Sequence, residues 1–164
     1  MTEPPWMIDA RAAIGVRETP GPGNSPTIMG WARRLGGKVL GMAYGADAIP
    51  WCGLFVAECM VEADIKPPPI AVRAKAWATW GAPCPPQYGA VLVFARDGGG
   101  HVGFYSGETP TAYQVLGGNQ GDAVCLALIA KNRCIAVRWP IGHAETARRV
   151  EIASAGGKLS TNEA

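Results

Sequence analysis

The pattern of apolar residues changes near residue 90, and this change constrains the fold more than any other feature of the chain. Before it, apolar residues recur at helical spacing; after it, short β-branched runs follow one another with turns between them. The runs cover residues 90–95, 101–106, 112–116, 124–129 and 135–138. Because no helix separates them, they predict neighbouring antiparallel strands joined as a meander. The sequence therefore predicts an α+β domain, with N-terminal helices packed on a C-terminal antiparallel sheet of about five strands.

The first half of the chain predicts helices that end at glycines. The predicted helices cover residues 6–14, 27–35 and 72–80, and a further helix begins at Cys52. A chain of 164 residues can bury one hydrophobic core without disulfides, so residues 1–141 are predicted to form a single domain. Residues 142–164 turn polar and predict a C-terminal tail, with either a helix over 145–153 or disorder, and a mobile end after 153.

Charge and hydropathy exclude several classes of protein. The net charge is +2, and the charged residues are scattered, so the chain has no basic stripe for nucleic acid. Its apolar runs are far too short to insert into a membrane. The N-terminal residues lack the basic and apolar regions of a signal peptide. We therefore expect a monomer that is synthesised in the cytoplasm and reaches any other compartment by a separate route.

The cysteines and histidines do not follow metal-binding spacing. The chain has five cysteines and no C-x-x-C motif, and His101 and His143 are its two histidines. We therefore expect neither a metal nor another cofactor. Without an export signal, buried reduced thiols are the expected state, and the alternative is a pairing of Cys125 with Cys134 across a hairpin.

Cys52 stands at the start of an apolar helical run, in the stretch IPWCGLFV that begins at Ile49. A cysteine at a helix N-terminus lies at the positive end of the helix dipole and beside unpaired backbone N–H groups. Both favour the thiolate, which is the nucleophilic form. The alternative is that Cys52 is a small buried apolar residue.

Two polar residues in the sheet half complete a candidate catalytic set. His101 begins a strand after three glycines, and Asn119 follows the pair Gly117-Gly118. Each has a structural alternative, since a histidine at a strand edge and an asparagine beside glycines both occur without function. A cysteine on a helix, a histidine on a strand and an asparagine at the end of the next strand are the parts of a cysteine acyl-transfer site.

Three separated segments resemble the NlpC/P60 and CHAP superfamily of papain-like cell-wall hydrolases. The segments are WCGLFV from Trp51, GHVG from Gly100 and GGNQG from Gly117. The chain is most similar to the small phage and prophage branch, and the resemblance covers roughly residues 6–140. It implies a papain-like fold and a cysteine peptidase or amidase that hydrolyses peptidoglycan. The bond implied is an amide, either between N-acetylmuramic acid and L-alanine or within the stem peptide.

The resemblance assigns roles to individual residues. Cys52 is the implied nucleophile of a thioester acyl-enzyme, His101 the implied acid–base, and Asn119 the residue that orients the imidazole. Gln120 is the alternative third member or a substrate contact. The expected oxyanion hole combines the Cys52 backbone N–H with a second donor that the sequence does not identify.

Three further residues are predicted near the substrate: Glu18, Asp47 and Trp51. Glu18 either holds the substrate's amine or amide groups or caps a loop. Asp47 either contacts the substrate or braces the loop that leads into Cys52. Trp51 belongs to the motif that carries the nucleophile.

The biological role stays open between alternatives. An endolysin would cross the inner membrane through a holin-type pore and then act on the periplasmic wall. A virion-associated hydrolase or a secreted antibacterial effector would use the same chemistry. A catalytically inactive papain-like binding module is the alternative outside enzymes.

Overall fold

Three α-helices precede a six-stranded antiparallel sheet in the computed structural model, which describes residues 3–153, 159–161 and 163. The helices are α1 (Pro5–Ala12), α2 (Pro26–Leu40) and α3 (Cys52–Glu62). The strands are β1 (Ala82–Pro83), β2 (Val91–Arg96), β3 (Gly99–Glu108), β4 (Ala112–Gly117), β5 (Cys125–Ala130) and β6 (Cys134–Trp139). Short 3-10 helices cover Ala74–Thr79 and Lys131–Arg133. The predicted α+β class, with helices first and an antiparallel sheet second, is confirmed.

The helix ends follow local chemistry. Pro5 and Pro26 occupy the first turns of α1 and α2, where a missing N–H costs nothing. The Ser25 hydroxyl caps α2 by accepting a hydrogen bond from the Ile28 N–H, at 3.3 Å. Gly36, with φ of 80°, breaks α2 where the sequence predicts its end, but the helix resumes and continues to Leu40.

The helix predicted over residues 72–80 is a shorter 3-10 helix, Ala74–Thr79. Its two buried side chains, Ala74 and Trp77, stand three residues apart, which matches the three-residue turn of a 3-10 helix. The Trp77 indole donates a hydrogen bond to the Ala71 carbonyl at 3.0 Å. This bond fixes the segment that borders the Cys52 end of α3.

The sheet order is β1-β6-β2-β3-β4-β5. Strands β2 to β5 form the predicted meander, but β6 returns to pair with β2. Only three residues link β5 to β6, and they span about 14 Å at most, whereas four strand spacings of a flat sheet need about 19 Å. The sheet must therefore curl strongly, and the pattern of apolar runs alone does not predict that closure.

Helix α3 lies at the centre of the core, between the other two helices and the sheet. It packs against α1 and α2 on one side and against β3 and β4 on the other. Residues 52–60 of this helix are all buried. Aromatic rings connect the layers: Phe55 stands 5.9 Å from Trp31 and 6.1 Å from Phe104, between ring centroids. The nucleophile candidate therefore starts the most buried helix of the described chain.

The chain after Pro140 runs extended along the domain, and the helix considered over residues 145–153 is absent. The backbone of Arg148 accepts a hydrogen bond from the Tyr88 N–H, and that of Val150 accepts one from the Glu108 N–H. Arg149 forms an ion pair with Glu108. These contacts favour extended backbone over helix. The predicted mobile end lies largely outside the described residues.

No helix in the described part of the chain is both long enough and apolar enough to cross a membrane.

Candidate active site

Cys52 is the first residue of α3, and its side chain is only 3% exposed. The backbone N–H groups of Gly53 and Val102 approach its sulfur. Val102 follows His101 on β3, so the start of α3 meets the sheet beside the candidate histidine. The first turn of α3 contains no acidic residue and its N-cap side chain makes no capping bond. The backbone N–H groups of that turn therefore face the site without competition from a side chain.

Burial controls the protonation of the Cys52 thiol. Desolvation raises the pKa of Cys52 above its ordinary value, and the N–H groups of Val102 and Gly53 lower it by less. The N–H groups at the helix terminus act in the predicted direction, but burial outweighs them in this resting state. The proton stays on the sulfur at neutral pH, and the site needs a base to remove it.

His101 is fully buried on β3, and its ring is held by Gln120. The His101 Nε2 and Gln120 Oε1 atoms are 2.9 Å apart. The Gln120 amide nitrogen donates to the carbonyls of Cys125, at 2.7 Å, and Val115, at 3.2 Å. Because the amide N–H groups have these acceptors, the amide oxygen must face the imidazole and accept its N–H.

This network fixes the histidine tautomer. The neutral imidazole donates from Nε2, so Nδ1 is its basic atom. Among the described residues, Nδ1 has no hydrogen-bond partner although it is buried. A buried acceptor without a donor is costly, and such a group marks a site where a proton or a ligand is expected.

The pKa of His101 is lowered to about 4, chiefly because burial disfavours the imidazolium. The Gln120 hydrogen bond and the Glu163 carboxylate raise it by less, and Arg133 and Arg96 lower it further. At neutral pH the Cys52 thiol and the His101 imidazole are therefore both neutral. This state suits general-base activation of the thiol rather than a preformed ion pair.

The residue that holds the imidazole is Gln120, whereas the sequence predicts Asn119 in this role. Asn119 is buried and has φ of 59°, the left-handed conformation that asparagine adopts in turns. Asn119 forms this turn after β4, and the next side chain, longer by one methylene, is the one that reaches His101. The GGNQG motif contains both Asn119 and Gln120, so the sequence already offered the side chain that holds the imidazole.

Gly117 provides the space for the imidazole–amide contact. A Cβ at this position would lie 2.5 Å from Gln120 Oε1 and 3.4 Å from His101 Nε2. The first distance is shorter than real Cβ contacts, so any side chain at this position would displace the amide. The glycine before the turn is therefore part of the candidate site.

Two of the residues predicted to contact substrate instead form hydrogen bonds with other residues of the protein. Trp51 is fully buried, which corrects its assignment as a substrate contact, and its indole donates to Glu18 Oε1 at 2.7 Å. Asp47 is also buried, and one oxygen accepts the backbone N–H groups of Thr19 and Ser25, at 2.9 and 2.6 Å. Asp47 therefore braces the loop before Cys52.

Glu18 remains partly exposed. Burial raises the pKa of Glu18 more than the Trp51 hydrogen bond lowers it, and the carboxylates of Asp122 and Asp47 raise it further. Its contact with Trp51 ties the N-terminal loop to the residue before the nucleophile. The prediction that Glu18 also holds a substrate group stays a prediction.

Cys52 lines a cleft of about 340 Å³. Apolar side chains form part of its wall, from Met42, Ile49, Pro50, Val72 and Ala74. The remaining wall comes from Gly98, Gly99 and Gly100 and from Arg73, Lys75 and Arg96. The basic residues come from two segments more than 20 residues apart, and no motif in the sequence connects them. Their convergence depends on the tertiary fold.

The described residues contain no group of three histidine, cysteine, aspartate or glutamate side chains that could hold a metal ion. All five cysteines are free. Comparison with known proteins gave no match: no family model, no curated protein and no solved structure matches this chain. Fold and site together define an α+β protein in which a buried His101–Gln120 pair lies on the antiparallel sheet and a buried Cys52 begins the helix packed against that sheet.

Proposed function

We propose that this protein is a papain-like cysteine hydrolase of the NlpC/P60 and CHAP type, which cleaves an amide bond of peptidoglycan. The observation that carries the proposal is the position of Cys52 at the start of α3, with its sulfur beside the N–H of Val102, the residue that follows His101 on β3. The Gln120 amide fixes the imidazole so that Nδ1 is the basic atom. A buried nucleophile, a base and an orienting amide are the parts that this chemistry needs.

The proposed reaction begins with proton transfer from the Cys52 thiol to His101 Nδ1. The resulting thiolate attacks the carbonyl carbon of the amide, and the tetrahedral intermediate collapses when the imidazolium protonates the leaving amine. A thioester then joins the acyl group to Cys52. His101 accepts a proton from a water molecule whose oxygen attacks the thioester carbonyl. The C–S bond then breaks, the carboxylic acid product leaves, and the imidazolium returns its proton to the Cys52 thiolate. Gln120 keeps the ring oriented through both proton transfers.

The oxyanion of each tetrahedral intermediate needs donors near the sulfur. The backbone N–H of Gly53 approaches the sulfur, and the Cys52 N–H belongs to the same first turn of α3. First-turn N–H groups have no partner within their own helix. We assign these two groups to the oxyanion hole, which supplies the second donor that the sequence did not identify.

The choice of peptidoglycan rests on the motif resemblance and on the cleft. The GHVG and GGNQG segments contribute the hydrogen-bonded residues His101 and Gln120, and the WCGLFV segment contributes Cys52, whose sulfur lies beside the Val102 N–H. The cleft beside Cys52 has both apolar and basic walls, as a peptide substrate with carboxylates requires. Release through a holin-type pore and action on the periplasmic wall belong to this proposal, with a virion-associated or effector role as the alternative.

Digestion of purified peptidoglycan tests the proposal, with fragments identified by mass spectrometry. The wild type and Cys59→Ala should release the same soluble fragments, whereas Cys52→Ala should release none. Cys59 is a matched control, because it is buried on the same helix two turns later. Free stem peptides with intact glycan identify an amidase, and cut stems or cross-links identify an endopeptidase. Absence of fragments with the folded wild type would favour the inactive binding module.

A further inference from the structure

The charged residues that line the cleft beside Cys52 are all positive. Arg73, Lys75 and Arg96 line it, and no aspartate or glutamate is among its lining residues. Within the described part of the chain, none of the three cations forms an ion pair. The net charge of the whole protein is only +2, so this concentration of positive charge is local.

Arg96 connects the basic wall to the reacting groups. It ends β2, and its Nε donates a hydrogen bond to the Gly100 carbonyl at 3.2 Å, just before His101. Its charge lowers the pKa of both Cys52 and His101. A guanidinium held in this position extends its field over the nucleophile and the base.

Lys75 and Arg73 complete the wall from the other side. The Lys75 side chain packs over Gly100, since a Cβ at Gly100 would lie 3.1 Å from Lys75 Cγ. Lys75 belongs to the 3-10 helix that Trp77 anchors through its bond to Ala71, and Arg73 directly precedes that helix. Their side chains are exposed at the cleft, so an incoming anion can pair with them without displacing an existing partner.

We propose that this basic cleft binds a free carboxylate of the substrate, close to the scissile amide. Guanidinium and ammonium groups that converge without an internal counter-ion are the usual protein site for a carboxylate. The apolar wall accepts the aliphatic part of the same residue. The inference rests on the proposed amide hydrolysis and adds its substrate class: stem peptides with free carboxylates rather than carboxamides.

A substrate pair tests the inference through activity. One stem peptide carries free carboxylates, and its partner carries the same groups as carboxamides. We expect the wild type to hydrolyse the acid with about tenfold higher kcat/KM, and the double variant Arg73→Gln/Lys75→Gln to lose this preference through a higher KM. The control Arg17→Gln/Arg33→Gln removes the same charge outside the cleft and should keep the preference. Equal hydrolysis of both peptides by the wild type would overturn the inference and leave the hydrolase assignment intact.

Alkylation of Cys52 tests the same cleft without any hydrolysis. Iodoacetate is an anion and iodoacetamide is its neutral counterpart, so the ratio of their rates at Cys52 reports the local charge. We expect the ratio, measured by peptide mass spectrometry and normalised to a free cysteine peptide, to fall about tenfold in the double variant at low salt. High salt should remove most of the difference.

The two assays separate the two possible failures. A charge-dependent alkylation ratio in a protein that cleaves no peptidoglycan would overturn the hydrolase assignment and support the anion preference. An alkylation ratio that does not change in the double variant, in a protein that cleaves both peptides equally, would overturn the basic-cleft inference alone.

Discussion

Under the proposed mechanism, replacement of Gln120 by alanine should reduce activity because it removes the hydrogen bond that the described residues provide to the His101 imidazole. The bond joins Gln120 Oε1 to His101 Nε2 at 2.9 Å in a fully buried setting. A buried hydrogen bond of this kind contributes about 1.5–3 kcal/mol when it stabilises a charged partner, as the imidazolium is during the reaction. We therefore expect Gln120→Ala to lower kcat/KM by about 10- to 100-fold.

The matched control is Asn119→Gly. Asn119 has φ of 59°, which glycine adopts without strain, so this variant removes the side chain and keeps the turn. If Gln120 orients the ring, Asn119→Gly should keep kcat/KM within about threefold of the wild type. Both variants are compared at a temperature where melting curves show them folded, since Gln120→Ala also leaves the Val115 and Cys125 carbonyls without their donor.

The tautomer of His101 distinguishes a loss of ring orientation from a general loss of stability, because destabilisation alone would not change the tautomer. Nitrogen NMR of the wild type should show a protonated Nε2 and an unprotonated Nδ1, and Gln120→Ala should mix the two neutral tautomers. Wild-type kcat/KM in Gln120→Ala, together with a large loss in Asn119→Gly, would refute the assignment and restore Asn119 as the orienting residue.

Three further predictions test the site and the scaffold. Gly117→Ala places a methyl group against Gln120 Oε1 and should lower kcat/KM at least about tenfold in steady-state assays. The His101 pKa of about 4 means that kcat/KM should hold down to pH 5 and fall to half near pH 4; a half-point near 6.5 would contradict it. Ion pairs lower the pKa of Glu108 to about 2, so its stabilisation is complete above pH 4.5 and is lost as the pH falls toward 2. Glu108→Gln should lower the free energy of unfolding by about 2 kcal/mol at pH 7 and flatten this acid dependence in urea titrations.

Much of the fold follows from local pattern. The five predicted strands begin within two residues of β2 to β6, because β-branched runs bounded by glycine-rich turns determine strand position locally. The return of β6 to β2 could not be predicted in this way. It depends on curvature of the whole sheet, and the two-residue strand β1 pairs with the other edge of β6.

The sequence predicted His101 as a site residue but not the side chain that holds its imidazole. Cys52 and His101 are marked by a helix start and by a glycine-rich strand start, both of which are local signals. The choice between Asn119 and Gln120 depends on a backbone angle in the turn after β4, which the residue types leave open. The pKa of Cys52 depends on complete burial, and the basic wall on segments that meet only after folding.

Capture of the acyl-enzyme tests the central claim most directly. The protein is mixed with a stem-peptide substrate, quenched in acid within milliseconds to seconds and digested for mass spectrometry. The account predicts a transient acyl group on the peptide that contains Cys52, in the wild type and in Cys59→Ala, with no adduct or hydrolysis in Cys52→Ala. Hydrolysis that persists in Cys52→Ala, without any acyl group on the protein, would contradict nucleophilic catalysis by Cys52.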